Sequence, residues 1–187
     1  MEKSTLVPFL RENLSILFVG LNPAKGSNQN GHYFSVNSAF WNQLFESGLI
    51  NKQVDKLSAD IEIFGKNEKN HNKWEFGITD LITEIAESDS SKIKPTLKNF
   101  EFLINQIELY KPKTVVLLHK KVLDSFNKNL FLSKSIQVNE GNVGKLIKGV
   151  DTTFFSIAFP HGNTFTSKSK IEKYTELKQF LIQLNNG

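Results

Sequence analysis

The sequence predicts a three-layer α/β/α fold with a short, mainly parallel central sheet, and three observations lead to this prediction. Apolar runs of strand length are continuous instead of alternating, which is typical of parallel strands buried on both faces. Segments with a helical spacing of apolar residues separate these runs. Neither an internal repeat nor a low-complexity linker divides the 187 residues, so we expect residues 1–187 to form a single domain.

The strands are predicted from apolar runs that end in turn-forming residues. Gly20 ends the first run and Pro160 stops the last. A further run follows Pro112, and the shorter run that begins at Phe76 is a strand or the end of one. The four predicted strands are residues 15–20, 76–81, 114–118 and 152–159.

The helices are predicted where apolar side chains recur at intervals of three or four residues. Residues 51–73 are rich in Asn and Lys and are interpreted as a variable excursion, and residues 136–150 as a hairpin or loop interrupted by glycines. The four predicted helices run from Asn37 or Ser38 to about Gly48, from Pro95 to before Pro112, over residues 120–131, and onward from Ser167 or Ser169.

The composition excludes several classes of protein. Without any Cys, the chain has no disulfide scaffold, no thiolate zinc site and no Cys nucleophile. A hydrophobic fraction of 39% argues against disorder. No apolar run approaches the roughly 18 residues that a membrane span needs, and the first residues do not resemble a signal peptide. We therefore expect a cytoplasmic protein that does not enter a membrane.

The charge is unevenly distributed along the chain, whose net charge is +4. Residues 111–148 contain eight Lys but only two acidic residues, Asp124 and Glu140. Such a local excess can attract a polyanion through phosphate contacts. On charge alone a solvated lysine face is the better explanation, and the presence of a single Arg argues against a dense phosphate-binding surface.

Two polar loops, residues 20–36 and 160–168, follow the first and the last predicted strands. Ligands of open parallel sheets bind beyond the carboxyl ends of the strands, so a site forms here if the two loops meet. The first loop has neither a phosphate-binding Gly-Lys-Ser/Thr nor a dinucleotide-binding glycine pattern. Instead Asn22 precedes Pro23, which restricts Asn22 to an extended conformation. The Asn22 amide could orient a water molecule, or the pair could simply form a turn.

His161 is the candidate side chain of the second loop, since it follows Pro160 at the end of a strand and precedes Gly162. It could donate a hydrogen bond to a developing anion or exchange a proton, although a loop histidine is often an ordinary surface group. The spacing of the four histidines does not match a metal site, so we expect neither a metal nor another cofactor.

Aromatic residues surround the first loop. Phe34 could stack on a flat ligand such as a nucleobase, or it could pack into the core beneath the loop. For Phe40 and Trp41, which lie on the inner face of the first predicted helix, the core is the better interpretation.

Taken together, these segments resemble the uracil-DNA glycosylase superfamily, and most closely its mismatch-specific uracil/thymine branch. The similarity covers residues 15 to about 170. Its most specific part is Gly-Leu-Asn-Pro at residues 20–23, followed by His-Tyr-Phe at 32–34 and by the Phe-Trp pair of 37–41. Residues 76–81 are similar to the family's mid-chain Gly-Ile/Val-Thr segment, and residues 159–165 occupy the place of its second motif.

This resemblance implies that a damaged pyrimidine is flipped out of DNA and that its N-glycosidic bond is cleaved. Asn22 would position the attacking water, His161 would stabilise charge on the departing base, and Phe34 would stack on the extruded ring. The resemblance further implies two sets of contacts. The base would be bound by Leu21, Pro23, Ala24 and Thr79. The DNA would be bound by Lys25, Gly162, Asn163, Thr164, Phe165, Ser167 and Lys168.

The expected function is therefore that of a DNA glycosylase acting on uracil or a related deaminated base in base excision repair. Its partner would be DNA containing a damaged base, and we expect a monomer without an obligate protein partner. Two alternatives remain open: a non-catalytic protein of the same fold that binds nucleic acid or a nucleobase, and an unrelated α/β enzyme that acts on a small polar metabolite.

Overall fold

The computed structural model describes residues 1–130 and 132–186, and within them it contains seven strands and six α-helices. The strands are β1 (Glu2–Lys3), β2 (Ile16–Gly20), β3 (Phe76–Asp80), β4 (Ile85–Ala86), β5 (Thr114–Leu117), β6 (Gly141–Gly144) and β7 (Thr153–Ser156). The helices are α1 (Lys25–Asn30), α2 (Ala39–Glu46), α3 (Ala59–Ile63), α4 (Leu97–Tyr110), α5 (Lys120–Asn129) and α6 (Ser167–Asn186).

The central sheet has the strand order β3-β2-β5-β7-β6. Its first four strands run parallel, and β6 pairs antiparallel with β7 at the edge. The register places Gly20 opposite Asp80 and Leu117 opposite Ser156. The carboxyl ends of the four parallel strands therefore share one edge of the sheet, while β1 and β4 form a separate antiparallel pair.

Helices cover both faces of the sheet, which confirms the predicted three-layer α/β/α fold. One face packs against α2, α3 and α6 through an aromatic core that includes Phe18, Trp41 and Tyr174. The other face packs against α4 and α5 through a mainly aliphatic core around Leu103 and Val122. Since each strand places alternate side chains on opposite faces, a continuously apolar strand is what this arrangement requires.

Residues 51–73, interpreted from the sequence as a variable excursion, form part of the packed fold. They contain α3 and a 3₁₀ turn at His71–Lys73, and they contribute Ala59, Ile63 and Phe64 to the core. The Phe64 ring lies 5.5 Å from that of Trp41 between ring centres. These core residues fall within the six residues 59–64, which are too few for a helical period to be recognised from the sequence, so burial here depends on tertiary packing.

Other boundaries differ only slightly from the predicted ones. Strand β7 ends at Ser156, the last of its residues in register with β5 and β6, which is three residues before the predicted end. The helix predicted over residues 120–131 with its end near Asn129 does end at Asn129, and residue 131 lies outside the described part of the chain. Within residues 1–130 and 132–186, none of the helices combines the length and the apolar character that a membrane span requires.

Candidate active site

A cavity of about 370 Å³ opens at the shared carboxyl edge of the sheet. Gly20 and Asp80 line it at the ends of β2 and β3, His119 lines it after β5, and Phe159 lines it after β7. Its volume lies within the range of about 300–1,000 Å³ that is usual for small-molecule sites. The cavity is thus large enough for one flat heterocycle and sits where parallel sheets bind ligands.

Asn22 and His161, predicted from two separate loops, both line this cavity. The amide nitrogen of Asn22 donates hydrogen bonds to the main-chain oxygens of Pro23 and Glu87, each at 2.9 Å. Only the NH₂ end of an amide can donate to a carbonyl, so these two acceptors determine which way the amide is turned. The Oδ1 atom of Asn22 is therefore left as an acceptor, which suits the positioning of a water molecule.

His161 is half-buried, and its Nδ1 atom has no hydrogen-bond partner in the described residues. Burial, together with the nearby charge of Lys170, lowers the pKa of the His161 imidazole. The ring is accordingly neutral at physiological pH and can donate one hydrogen bond without carrying a charge. Its edge-on packing against Phe159, with 5.6 Å between ring centres, holds the imidazole at the cavity wall.

The Phe34 ring lines the cavity and stacks on Phe40, with ring centres 4.1 Å apart and planes at 23°. Phe34 has a left-handed backbone conformation, with φ at 50°, which is uncommon for a bulky residue. The indole N–H of Trp41 donates to the main-chain oxygen of Phe34 and supports this turn. Phe40 and Trp41 are themselves fully buried, as predicted, so Phe34 is the ring of the three that lines the cavity.

The other residues predicted to bind the base divide into two groups. Leu21, Pro23 and Ala24 line the cavity together with Asn22. Thr79 does not, because it precedes Asp80 on β3 and therefore points to the opposite face of the sheet. Its hydroxyl lies 3.4 Å from Oε1 of Gln106 on α4, so the structure gives Thr79 no contact with the site.

Asp80 and His119 are among the cavity residues that the sequence analysis missed. Asp80 is 5% exposed, and its Oδ2 atom has no hydrogen-bond partner in the described residues. Burial raises the pKa of this carboxyl to about 7. Both residues stand at the carboxyl end of a predicted parallel strand, and that position alone was a signal that could have identified them.

His119 caps α5, and its Nδ1 atom accepts a hydrogen bond from the backbone N–H of Lys121 at 3.0 Å. Burial, with the charge of Lys121, lowers the pKa of His119. The neutral imidazole must then carry its proton on Nε2, since Nδ1 is occupied as an acceptor. His119 is thus a second neutral histidine at the cavity with one defined donor.

Lys25, predicted to contact DNA, is paired within the protein. Its Nζ atom lies 3.3 Å from the carboxylate of Glu87, which lines the cavity. The backbone N–H of Asp89 and then Lys25 hold the pKa of the Glu87 carboxyl well below its usual range. The positive charge of Lys25 is therefore partly neutralised before any nucleic acid approaches.

The loop after β7 continues from the cavity onto the surface. Gly162, Thr164 and Phe165 line a second hollow that shares His119 and Phe159 with the cavity. Asn163 is exposed at the tip of this loop, whereas Phe165 is half-buried.

Ser167 and Lys168 lie on the first turn of α6, next to Glu46 and Glu172. These two carboxylates would repel a phosphate that approached Ser167 or Lys168 from that side. The predicted DNA-contacting residues of the loop over 162–165 are therefore closer to the cavity than Ser167 and Lys168 of α6.

The lysines of residues 111–148 are divided between the two edges of the sheet. Lys120 lies beside the cavity and pairs with Asp124 at 2.8 Å. Lys145 pairs with Asp151 before the start of β7, at the opposite edge. The excess of charge therefore does not concentrate around the cavity, and ion pairing offsets part of it.

Among residues 1–130 and 132–186, no three His, Asp or Glu side chains lie close enough together to hold a metal ion. The arrangement at the cavity is instead a positioned amide, an aromatic ring, two neutral imidazoles and a buried carboxyl.

Comparison with protein families shows a match over nearly the whole chain. The sequence model of the Uracil DNA glycosylase superfamily matches residues 7–184, nearly the whole chain. The matched region includes every strand of the central sheet and both loops that form the cavity. The chain therefore belongs to the uracil DNA glycosylase superfamily.

Proposed function

We propose that this protein is a DNA glycosylase that hydrolyses the N-glycosidic bond of uracil, or of a related deaminated base, in base excision repair. The observation that carries this proposal is the convergence of Asn22, Phe34 and His161 on one base-sized cavity. Family membership supports the reaction class, and the residues at the cavity support the roles described next.

In the proposed reaction the target nucleotide leaves the DNA stack and its base enters the cavity. Unstacking and unpairing oppose this step by a few kcal/mol. Stacking of the base on Phe34 offsets part of that energy, since the Phe40 ring holds Phe34 in place from the other side. The relatively closed, apolar surroundings also strengthen every hydrogen bond made to the base.

The glycosidic bond then breaks toward a positively charged sugar and a negatively charged base. Asn22 positions the water through Oδ1, but an amide is no base, so water attack depends on how readily the base leaves. His161 donates a hydrogen bond to a carbonyl oxygen of the departing base. A positioned donor of this kind contributes about 10²–10³ in rate.

On the DNA side, residues 162–165 follow His161 directly and would contact the strand that carries the target. We propose that Phe165 fills the space that the flipped base leaves in the stack. Gly162 and Asn163 make this loop suited to adapting to the DNA, because glycine permits a wide range of backbone conformations. Lys25, Ser167 and Lys168 would contribute weaker contacts, given the acidic residues beside them.

The finer assignment is to the mismatch-specific uracil/thymine branch, which the Gly-Leu-Asn-Pro segment at residues 20–23 supports. An amide in place of an acidic base favours substrates with a good leaving group, and uracil leaves more readily than thymine. We further propose that residues 1–187 act as a single domain and as a monomer in the cytoplasm, without a cofactor or an obligate protein partner.

The test is base release from oligonucleotides that carry one uracil, hypoxanthine, xanthine or mismatched thymine, followed by alkaline cleavage of the abasic site. We expect cleavage at uracil, lost in Asn22→Ala and strongly reduced in His161→Ala. Asn105→Ala, at an exposed position of α4, is the matched control and should retain full activity. Absence of cleavage on all four bases, combined with salt-sensitive DNA binding, would instead indicate a non-catalytic DNA-binding protein.

A further inference from the structure

Asp80 is the most unusual polar residue of the cavity. It ends β3, lines the cavity and is 95% buried, and its Oδ2 atom has no hydrogen-bond partner in the described residues. An ionised carboxylate in such surroundings is strongly destabilising unless a cation or donors compensate it. In the described part of the chain neither lysine nor arginine lines the cavity, so no cation is available there.

The protonation state of Asp80 follows from its neighbours. The titratable residues that line the same cavity are Tyr33, Glu87, His119 and His161. Tyr33 and both histidines are neutral, because burial raises the pKa of Tyr33 and lowers the pKa of each histidine. Glu87 is ionised but paired with Lys25. With no positive group to hold it ionised, Asp80 stays protonated up to about pH 7.

The Asp80 carboxyl occupies space that a side chain at position 20 would otherwise fill. Gly20 lies opposite Asp80 in the parallel register, and a Cβ atom at position 20 would come within 2.3 Å of Oδ1 of Asp80. The Asp80 carboxyl therefore packs directly against the backbone of β2 at Gly20. Gly20 precedes Asn22 by two residues. Asp80, which carries the proton, and Asn22, which positions the water, thus lie at the ends of the adjacent strands β3 and β2.

We propose that Asp80 is the general acid of the reaction and protonates the base as it departs. This inference rests on the proposed glycosylase function and extends it. The proton of the Asp80 carboxyl moves to the leaving base while the glycosidic C–N bond breaks and its electron pair goes to the base. The water held by Asn22 adds a hydroxyl group to the sugar carbon, and its remaining proton returns to Asp80 through solvent.

The physical reason for this step is the lack of positive charge at the cavity. A base that leaves as an anion gains the hydrogen bond from neutral His161, but no positive charge lines the cavity to neutralise the negative charge that remains. A proton from Asp80 removes that charge at the moment it develops. General acid catalysis of this kind contributes about 10²–10⁴ in rate.

The experiment measures single-turnover base release as a function of pH, with uracil and with 5-fluorouracil in the same oligonucleotide. We expect the wild-type rate to fall as the pH rises above about 7. Asp80→Asn should be about 10²–10⁴-fold slower at low pH and should lose this pH dependence. Its rate loss should be smaller for 5-fluorouracil, since the fluorine makes the base a better anionic leaving group that needs the proton less.

Two further variants separate catalysis from structure. Asp80→Glu retains an acid and should keep a pH-dependent rate, although the longer side chain is expected to lower it. Asp151→Asn changes an exposed aspartate before the start of β7, at the far edge of the sheet, and should behave as the wild type.

The outcomes distinguish this inference from the function on which it rests. A wild-type rate that rises with pH, or an Asp80→Asn variant with the wild-type pH profile and equal losses on both bases, overturns the role of Asp80 alone. A wild-type protein that releases no base at any pH overturns the proposed function and this inference together.

Discussion

Lys170 donates a hydrogen bond to the main-chain oxygen of Gly162, with 2.6 Å between Nζ and O. The same ammonium group donates to the main-chain oxygen of Pro160 at 3.1 Å. These two acceptors flank His161, and the Lys170 side chain is almost completely buried. A lysine of α6 therefore holds the backbone on both sides of the cavity histidine.

Replacing Lys170 with Met should loosen the loop that carries His161. The hydrocarbon part of the side chain is retained, but two carbonyl groups lose a charged donor, which corresponds to about 1–3 kcal/mol of stability. We expect a lower urea midpoint and a slower release of uracil. Lys98→Met, at an exposed position of α4, is the control and should change neither quantity. An unchanged rate in Lys170→Met would show that the loop keeps His161 in place without this lysine.

Asn22→Asp is expected to destabilise the protein, although the two side chains have nearly the same shape. An aspartate would turn a carboxylate oxygen toward the carbonyl oxygens of Pro23 and Glu87, where the amide now donates. The loss should be about 1–3 kcal/mol, measured by urea unfolding near neutral pH, where the aspartate is ionised. Asn105→Asp should leave the unfolding free energy nearly unchanged. Equal stability of Asn22→Asp and the wild type would contradict the assigned orientation of the amide.

Asp60→Ala tests how the segment of residues 51–73 supports the site. The Asp60 carboxylate accepts from the backbone N–H of Tyr33 at 2.9 Å and contacts Nδ1 of His32 at 2.8 Å. It thereby fixes the residues just before Phe34. We expect a loss of at least about 1.5–3 kcal/mol, the value of a hydrogen bond to a charged group, together with weaker uracil release.

The control for this prediction is Asp55→Ala, which removes an exposed carboxylate from the same segment. That variant should retain the activity of the wild type. If both variants lose activity equally, the segment as a whole is responsible and the contact of Asp60 with Tyr33 is not.

The sheet and much of the site could be predicted because their signals are local. A continuously apolar run such as Thr114–Leu117 has few alternatives to a buried parallel strand, and polar loops at strand ends indicate where ligands bind. By contrast, Lys170 lies in an amphipathic helix pattern in which lysines are normally exposed. Its burial depends on how α6 packs beside the loop of His161, which is a long-range relationship that no local pattern contains.

Asp80 illustrates the same limit at the site itself. Its position at a strand end could be predicted, but the packing of its carboxyl against β2 depends on the register between β2 and β3 and on the absence of a side chain at Gly20. Thr79, one residue earlier, was expected at the site because a resemblance between segments does not indicate which face of the sheet a side chain occupies. The two-residue alternation of strands assigns Asp80 to the cavity instead.

The stability of the protein should depend on pH through Asp80. Its folded-state pKa of about 7 is higher than the ordinary value of 3.8, so between these values the folded state keeps a proton that the unfolded state has released. Stability contributed by this proton is greatest below the unfolded pKa and is lost as the pH rises toward 7. Asp80→Asn removes this dependence, so its stability advantage over the wild type should grow from about pH 5 to about pH 8. A difference that stays constant over this interval in urea unfolding would mean that Asp80 is already ionised at the lower pH.

The pairing of Gly20 with Asp80 leads to a prediction for a double-mutant cycle. Gly20→Ala places a methyl group within 2.3 Å of Oδ1 of Asp80, so the carboxyl must move away from the backbone of β2. In the Asp80→Ala background that obstacle is absent, and the same change should be tolerated much better. We expect a coupling of about 0.5–3 kcal/mol between the two positions in urea unfolding, the range usual for residues in contact. Additive effects would show that position 20 is restricted by its backbone alone and that the Asp80 carboxyl does not pack against it.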